Sequence, residues 1–165
     1  MKKIQIRPSP TADSRTAQGP VTKEQLLESS KQHIQDVQLA MDIFRELLFQ
    51  ASLRHDRTKI TMIDQFHDNF VSFTPGAGFK QGNWFHRHVT EERHHLNDHC
   101  PKDVNLIDVL ERVADIVMAG LGRSGEIHED KLDPQILVDA YWNTVKLLAD
   151  HVEVVQHDET PPEPV

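Results

Sequence analysis

The stretch TKEQLLESSKQHIQDVQLAMDIFRELLFQASLRHD, residues 22–56, decides the fold class. Its apolar residues recur every three or four positions, which is the spacing of one face of an α-helix. They are Leu27, Ile34, Val37, Met41, Phe44, Leu48 and Ala51. Thr22 followed by Gln25 has the form of a capping box, which predicts that the helix begins there. The stretch therefore predicts one long amphipathic helix that leads into an adjacent His-Asp pair.

Four more helical stretches are predicted downstream. They cover approximately residues 59–71, 84–99, 103–121 and 133–155. Pro101 is expected to end the third helix, Asp103 to cap the fourth, and Asp133 followed by Pro134 to open the fifth. No run of residues alternates in the way typical of a strand. The predicted fold class is all-α, a single-domain helical bundle of about five main helices.

The two ends of the chain differ in composition from its centre. Residues 1–21 carry prolines and no periodic pattern, so they are expected to form an irregular N-terminal arm. Residues 156–165 contain three prolines and are expected to be a flexible tail, which leaves 22–155 as the helical domain. The Pro/Gly-rich stretch 74–83 is predicted to be a loop, long enough to act as a flap over a site.

Composition limits the classes of function. A chain of 165 residues fits one domain of ordinary size, and its formal charge of −8 disfavours general binding to nucleic acids. The single cysteine, Cys100, permits no intrachain disulfide, which is typical of a reducing compartment. No apolar run approaches the roughly 18 residues of a membrane span, so a cytoplasmic protein without membrane contact is expected.

Histidine is unusually frequent, with 11 in the chain, and five of these fall within residues 86–99. Neutral imidazoles and carboxylates are the donors that catalytic divalent metals prefer. The predicted metal ligands are His33, His55, Asp56, His86, His94, His95 and Asp115. The first ion is assigned to His33, His55, Asp56 and Asp115, with Asp56 bridging to a second ion.

The spacing of histidines on the predicted third helix does not decide which of them point into the site. His94 is the more certain ligand, while His86 and His95 are candidates for the second metal or for substrate. His88, His95 and His99 share one face, so His94 and His95 cannot both point straight inward from a regular helix. Any of these histidines could instead be a hydrogen-bonded or solvated side chain, and Asp115 could pair with a neighbouring arginine.

Cations close to the His-Asp pair are candidates for binding substrate phosphate. Arg57, Lys59 and Arg93 are predicted to contact substrate. Lys59 is favoured as a catalytic residue together with Asp56, because its long side chain, three positions later, can extend back over the site.

The ordered set His33, His55-Asp56 and Asp115 resembles the HD superfamily of metal-dependent phosphohydrolases, over about residues 32–120. His86, His94 and His95 look like the additional ligands of binuclear members. The sequence His-Asp-x-Thr-Lys and the run Trp84-Phe85-His86 are similar to a group of HD-like proteins of phages and bacteria. The resemblance implies one or two divalent ions (Mn, Fe, Co, Ni, Mg or Zn). It also implies hydrolysis of a small phosphorylated molecule by metal-activated water, with a nucleotide as the first expectation.

One departure from the family pattern keeps alternatives open. Members that hydrolyse nucleotides often carry a glutamate soon after the His-Asp pair, whereas residues 57–60 here are Arg-Thr-Lys-Ile. Asp64, Asp68 or Glu91 could take that role. The alternatives are a di-iron oxygenase of the same fold and a non-catalytic regulatory protein that binds metal or nucleotide. A homo-oligomer is compatible with each of them.

Overall fold

The computed structural model describes residues 3–8, 19–72 and 78–155. The chain is mostly helical, which confirms the predicted all-α class. Most of the predicted N-terminal arm, residues 74–77 of the predicted 74–83 loop and the predicted tail lie outside the described residues. Among those that are described, no helix combines the length and apolar character needed to cross a membrane.

Six helices and two short strands follow one another in the described part of the chain. They are β1 (Ile4–Ile6), α1 (Lys23–Arg54), α2 (Arg57–Thr61), α3 (Ile63–Ser72), α4 (Asn83–Glu91), α5 (Leu106–Ser124), α6 (Pro134–Asp150) and β2 (Val152–Val154), with a 3-10 turn at Phe79–Gln81 before α4. The chain divides into two compact units. One contains Met1–Arg45 and Lys146–Val165, and the other contains Glu46–Val145.

The start of α1 is the predicted capping box. The amide of Thr22 donates to Gln25 Oε1 at 3.0 Å, and the amide of Gln25 donates to Thr22 Oγ1 at 3.2 Å. The predicted core stripe of this helix is mostly wrong, since Ala51 is buried but Ile34 and Met41 are more than half exposed. The spacing of apolar residues along a helix shows that one face is apolar, but it does not show what packs against that face.

The first unit contains a two-stranded parallel sheet that the sequence did not predict. Ile4 pairs with Val152 and Ile6 with Val154, so residues 4–6 are not irregular as expected. Strands of three residues are too short to show an alternating pattern. Their partner lies almost a whole chain away, which no local pattern reveals.

The second unit corrects two predicted helix ends. The helix predicted over 59–71 is divided at Met62, whose backbone leaves helical geometry between α2 and α3. The helix predicted to reach Pro101 ends instead at Glu91, because the backbone of Glu92 is extended. Residues 92–99 form turns.

The caps of α5 and α6 give one correction and one confirmation. Asn105, rather than Asp103, caps α5 by accepting from the amide of Ile107 at 2.9 Å, and Asp108 completes a capping box. Asp133 caps α6 as predicted, because its carboxylate accepts from the amide of Gln135 at 2.9 Å.

Two apolar clusters stabilise the second unit. The first joins α2, α3 and α4 through Trp84, Phe85 and Val89, with Met62, Phe66 and Phe79 packed against them. The second surrounds Leu96, Val104 and Ala140, with Leu106, Val109, Leu132 and Ile136 at its edge. The chain passes from the first cluster to the second through residues 92–95, so both ends of this polar segment are anchored by buried apolar side chains.

A candidate metal centre

Asp56 lies where the chain changes direction between α1 and α2. Its φ of 54° and ψ of 22° are left-handed, and Asp56 is the one non-glycine residue with positive φ in the described chain. Aspartate tolerates this region better than most residues, and unusual backbone angles tend to occur at functional sites. Asp56 precedes α2 but makes no side-chain cap. Its carboxylate turns inward, where Oδ1 lies 3.5 Å from His88 Nε2 and 3.7 Å from His94 Nε2.

The end of α4 and the irregular segment after it bring three histidines to Asp56. His88 is buried near the end of α4 and stacks on Trp84 with ring centroids 4.6 Å apart. His94 and His95 follow the extended Glu92, so the helical restriction expected from the sequence does not apply to them. Glu92 is buried, and its carboxylate accepts from the amide of Thr58 at 2.8 Å, which ties this segment to α2.

Helix α5 supplies two carboxylates one turn apart on the same face. Asp115 Oδ1 lies 3.6 Å from His55 Nε2. Glu111 Oε1 lies 3.0 Å from His55 Nδ1 and 3.1 Å from His94 Nδ1. One carboxylate of α5 therefore faces the Nε2 side of His55, and the other faces the Nδ1 side.

Two groups of donor atoms result, and they share Asp56. The first consists of His55, Asp56, His94 and Asp115, and the second of Asp56, His88 and His95. Within each group, the donor atoms lie within 4.8 Å of one another. His88 Nε2 and His95 Nε2 are 2.8 Å apart, so both can face one ion. We call the six residues together the donor cluster.

The donor cluster fits a divalent cation because three of its buried atoms lack hydrogen-bond partners. They are Asp56 Oδ1 and both ring nitrogens of His94, a residue that is only 1% exposed. Of these atoms, Asp56 Oδ1 and His94 Nε2 lie 3.7 Å apart. Leaving such polar atoms unpaired in a protein interior is costly, and nearly all of them are paired in folded proteins. A positive ion between the two would satisfy both atoms.

Acceptors outside the cluster orient the imidazole rings. Glu111 faces Nδ1 of His55 and His94, and Thr58 Oγ1 lies 2.6 Å from His88 Nδ1. Protons placed on these Nδ1 atoms leave the Nε2 lone pairs directed at Asp56 and Asp115. Metal-binding histidines are commonly fixed by such contacts.

Ionisation at neutral pH also suits a metal. Burial, followed by the charge of neighbouring histidines, lowers the pKa of His88 and of His95 to about 4, so both rings are neutral. Burial raises the pKa of Asp56, but the hydrogen bond and charge of Lys59 outweigh it and hold that pKa below its ordinary value. Burial also raises the pKa of Glu111. The contacts with His94 and His55 outweigh burial, so the pKa of Glu111 is held below its ordinary value. Asp56 and Glu111 are therefore charged, and the neutral rings of His88 and His95 each have a free lone pair.

Five of the seven predicted metal ligands come together in the donor cluster: His55, Asp56, His94, His95 and Asp115. His86 is exposed on α4 and belongs to neither group, because two positions along a helix turn its side chain away from that of His88. His33 is exposed on α1 and also belongs to neither group. It lies in the first unit, whereas both groups lie in the second.

Two residues of the site were missed by the sequence prediction. His88 was placed on the face of His95 by helical spacing but was not chosen as a ligand. Glu111 lies one helical turn before Asp115, and this spacing was the available signal. Neither residue stands out without the contact between α5 and the segment that follows α4.

The predicted substrate cations have different environments. Lys59 Nζ donates to Asp56 Oδ2, at the edge of the donor cluster. Arg57 is exposed at the first position of α2. Arg93 does not fit its predicted role, because its Nε and Nη2 both donate to the carboxylate of Asp108 at 2.8 Å and its Nη1 donates to Asp103 at 3.1 Å. These contacts raise the pKa of Arg93 further and use the donors that a substrate would need.

Comparison with protein-family models, with curated proteins and with solved structures gave no significant match.

Proposed function

We propose that the protein is a metal-dependent phosphohydrolase that holds two divalent ions, with Asp56 shared between them, and acts on a small phosphorylated substrate. The observation that supports this most is the buried, unpaired Asp56 Oδ1 between two donor groups that have this residue in common. Paired ions bridged by a carboxylate are typical of enzymes that hydrolyse phosphate esters. The resemblance of His55-Asp56 and Asp115 to the HD pattern points to the same reaction class.

When bound, such ions would polarise a phosphoryl oxygen and lower the pKa of water at the site. The protein's own residues prepare the site for them. Glu111 Oε1 pairs with His55 Nδ1 at 3.0 Å, and a proton on that Nδ1 would direct His55 Nε2 inward; the same oxygen lies 3.1 Å from His94 Nδ1. Lys59 supplies a positive charge beside Asp56 and can stabilise negative charge on the transferred phosphoryl group.

Helix α5 offers the best candidate for the carboxylate that accepts a proton from the attacking water. Asp64 and Asp68 are exposed on α3, and Glu91 pairs with Arg87 at 2.6 Å on the outer side of α4. Asp115 instead belongs to the donor cluster and is partly exposed, with 29% of its side chain accessible. A carboxylate in this position can both hold an ion and accept a proton from water.

Metal content and hydrolysis, measured together on matched variants, test the proposal. We expect purified protein dialysed against Mn²⁺ to retain two ions per chain and to release phosphate from members of a panel of small phosphate esters. Asp56→Ala should lose both ions and lower the rate by at least about a thousandfold, because the shared donor is removed from both groups. Asp68→Ala, whose side chain is 81% exposed, is the matched control and should match the wild type. Equal metal content in Asp56→Ala and wild type would contradict the proposal.

One observation favours a second candidate, the di-iron oxygenase. The donor cluster contains four imidazoles and two carboxylates, a set that iron accepts as readily as manganese does. Anaerobic loading with Fe²⁺ followed by exposure to air separates the candidates. Visible absorption with consumption of oxygen supports the oxygenase, and phosphate release without either supports the hydrolase. Metal binding with neither activity indicates a regulatory protein.

A further inference from the structure

An apolar cavity of about 300 Å³ opens beside the donor cluster, between the last turns of α1 and the middle of α5. Its apolar wall consists of Leu48, Ala51, Leu110, Ala114 and Met118. His55, Glu111 and Asp115 line the same cavity, so its polar end is formed by two donors of the first group and by the carboxylate that contacts His55. The cavity therefore adjoins the candidate metal centre within the second unit.

The cavity wall is suited to uncharged, apolar chemistry. No lysine or arginine is among the residues that line it, so it offers no positive side chain to a second phosphate. Ser52 is the one hydroxyl residue in the lining, and its Oγ already donates to the carbonyl of Phe49 at 2.8 Å. Leu110 and Met118 leave 50% and 70% of their surfaces exposed, and an apolar group between them would cover part of that area.

We propose that this cavity holds the apolar, uncharged part of the substrate, an alkyl or simple aryl group, while the polar group that reacts faces His55 and Asp115. The proposal rests on the function proposed above and narrows its substrate to a phosphate monoester of an apolar alcohol. It replaces the expectation of a nucleotide. The hydrogen-bonding edge of a nucleobase would remain unpaired against this wall, and unpaired polar groups are strongly selected against in binding sites.

Binding of non-hydrolysable phosphonates to Mn²⁺-loaded protein, measured by titration calorimetry, tests the proposal without turnover. We expect n-hexylphosphonate to bind at least about tenfold more tightly than methylphosphonate. Full burial of each added methylene would strengthen binding about fourfold, and a partly open cavity realises only part of that gain. Affinities that do not change with chain length, or no binding of n-hexylphosphonate at all, would overturn the proposal.

Variants on α5 locate the effect. Ala114→Phe should fill the cavity and remove the preference for n-hexylphosphonate, while methylphosphonate binds as in the wild type. Val113→Phe introduces the same phenyl ring at an exposed position outside the cavity lining and should preserve the preference. Met118→Ser, at a largely exposed position, weakens the apolar wall at low risk to folding and should reduce the preference severalfold.

Two further readouts separate this proposal from its alternatives. Chain-length-dependent binding without hydrolysis of any ester retains the cavity assignment and contradicts the phosphohydrolase. Hydrolysis at a rate independent of chain length retains the phosphohydrolase and contradicts the cavity assignment. Sedimentation velocity of the wild type and Met118→Ser tests occupation by a second copy of the chain. A dimer that dissociates in Met118→Ser would overturn the proposal.

Discussion

Two polar clusters lie within the second unit of this protein, and they differ in how completely their members are paired. In the arginine cluster, formed by Arg93, Asp103 and Asp108, two guanidinium nitrogens donate to one carboxylate and a third contacts another. In the donor cluster, Asp56 Oδ1 and both ring nitrogens of His94 are buried without partners. Protein interiors rarely tolerate such atoms, so the difference indicates which cluster is structural and which one could hold an ion.

The two clusters are also joined along the chain, because Arg93 directly precedes His94 and His95. The arginine cluster fixes the segment after α4 to the first turn of α5, where Asp108 also completes the helix cap. Arg112 adds a contact from α5 to the carbonyl of His94 at 3.2 Å. A paired cluster therefore positions an unpaired one, as in many sites where rigid neighbours hold the functional side chains.

Among the residues that contact the donor cluster without belonging to it, Lys59 should have the largest effect. Lys59→Met keeps most of the side chain and removes the charge, so bound metal should survive. The rate of phosphate-ester hydrolysis should fall by about 10²–10³, or roughly 2–4 kcal/mol of transition-state stabilisation. Steady-state kinetics together with metal analysis check this. Lys80→Met, which removes an exposed lysine on the 3-10 turn, is the control. An unchanged rate in Lys59→Met would mean that its contact with Asp56 has no catalytic role.

Acid should destabilise the fold through the buried histidines of the donor cluster. The pKa of His88 and of His95 is about 4 in the fold and near 6.5 when unfolded, so the unfolded chain binds more protons between these values. The free energy of unfolding of metal-free protein should therefore fall as the pH drops from about 6.5 to about 4. The pKa shift of one of these histidines lowers the free energy of unfolding by about 3 kcal/mol over this pH range. Urea unfolding at several pH values measures it. His88→Gln should flatten the profile, and a slope unaltered by this change would contradict the assignment.

Glu111 tests whether an orienting contact matters to the donor cluster. Glu111→Gln preserves the shape but removes the charge that faces His55 and His94, so metal affinity should fall about 10- to 100-fold. Competition with a chelator measures the affinity. Glu126→Gln, on the exposed segment after α5, is a matched control that should bind metal as the wild type does. If Glu111→Gln also binds metal normally, the imidazole rings are held by packing alone.

The smallest effect should come from breaking the arginine cluster. Arg93→Ala leaves Asp108, whose side chain is 5% exposed, without its main partner and should cost about 2 kcal/mol of unfolding free energy. Arg87→Ala removes an exposed pair with Glu91 and should cost less than about 0.5 kcal/mol. Chemical denaturation checks both. Loss of phosphonate binding in Arg93→Ala under conditions where it remains folded would return Arg93 to its predicted role as a substrate ligand.

The site could be predicted only in part, and the reason is visible in individual residues. His55 and Asp56 were identified because they are adjacent, and Asp115 because it lies at the edge of a helical stripe. His86 was chosen and His88 passed over because local spacing cannot tell which face of a short helix packs inward. His94 and His95 seemed mutually exclusive on a helix, and they became compatible because the chain leaves helical geometry at Glu92.

The sequence by itself determined the helical class, the start of α1 at its capping box and the start of α6 at Asp133, since these depend on residues within one or two turns. Only the tertiary structure decided the pairing of β1 with β2, the end of α4 and the membership of the donor cluster. Each of these depends on contacts between residues far apart in the chain, such as Thr58 with Glu92 and His55 with Glu111. Local patterns fix the backbone of a helix, whereas a metal centre requires donors whose directions are set by the packing of separate elements.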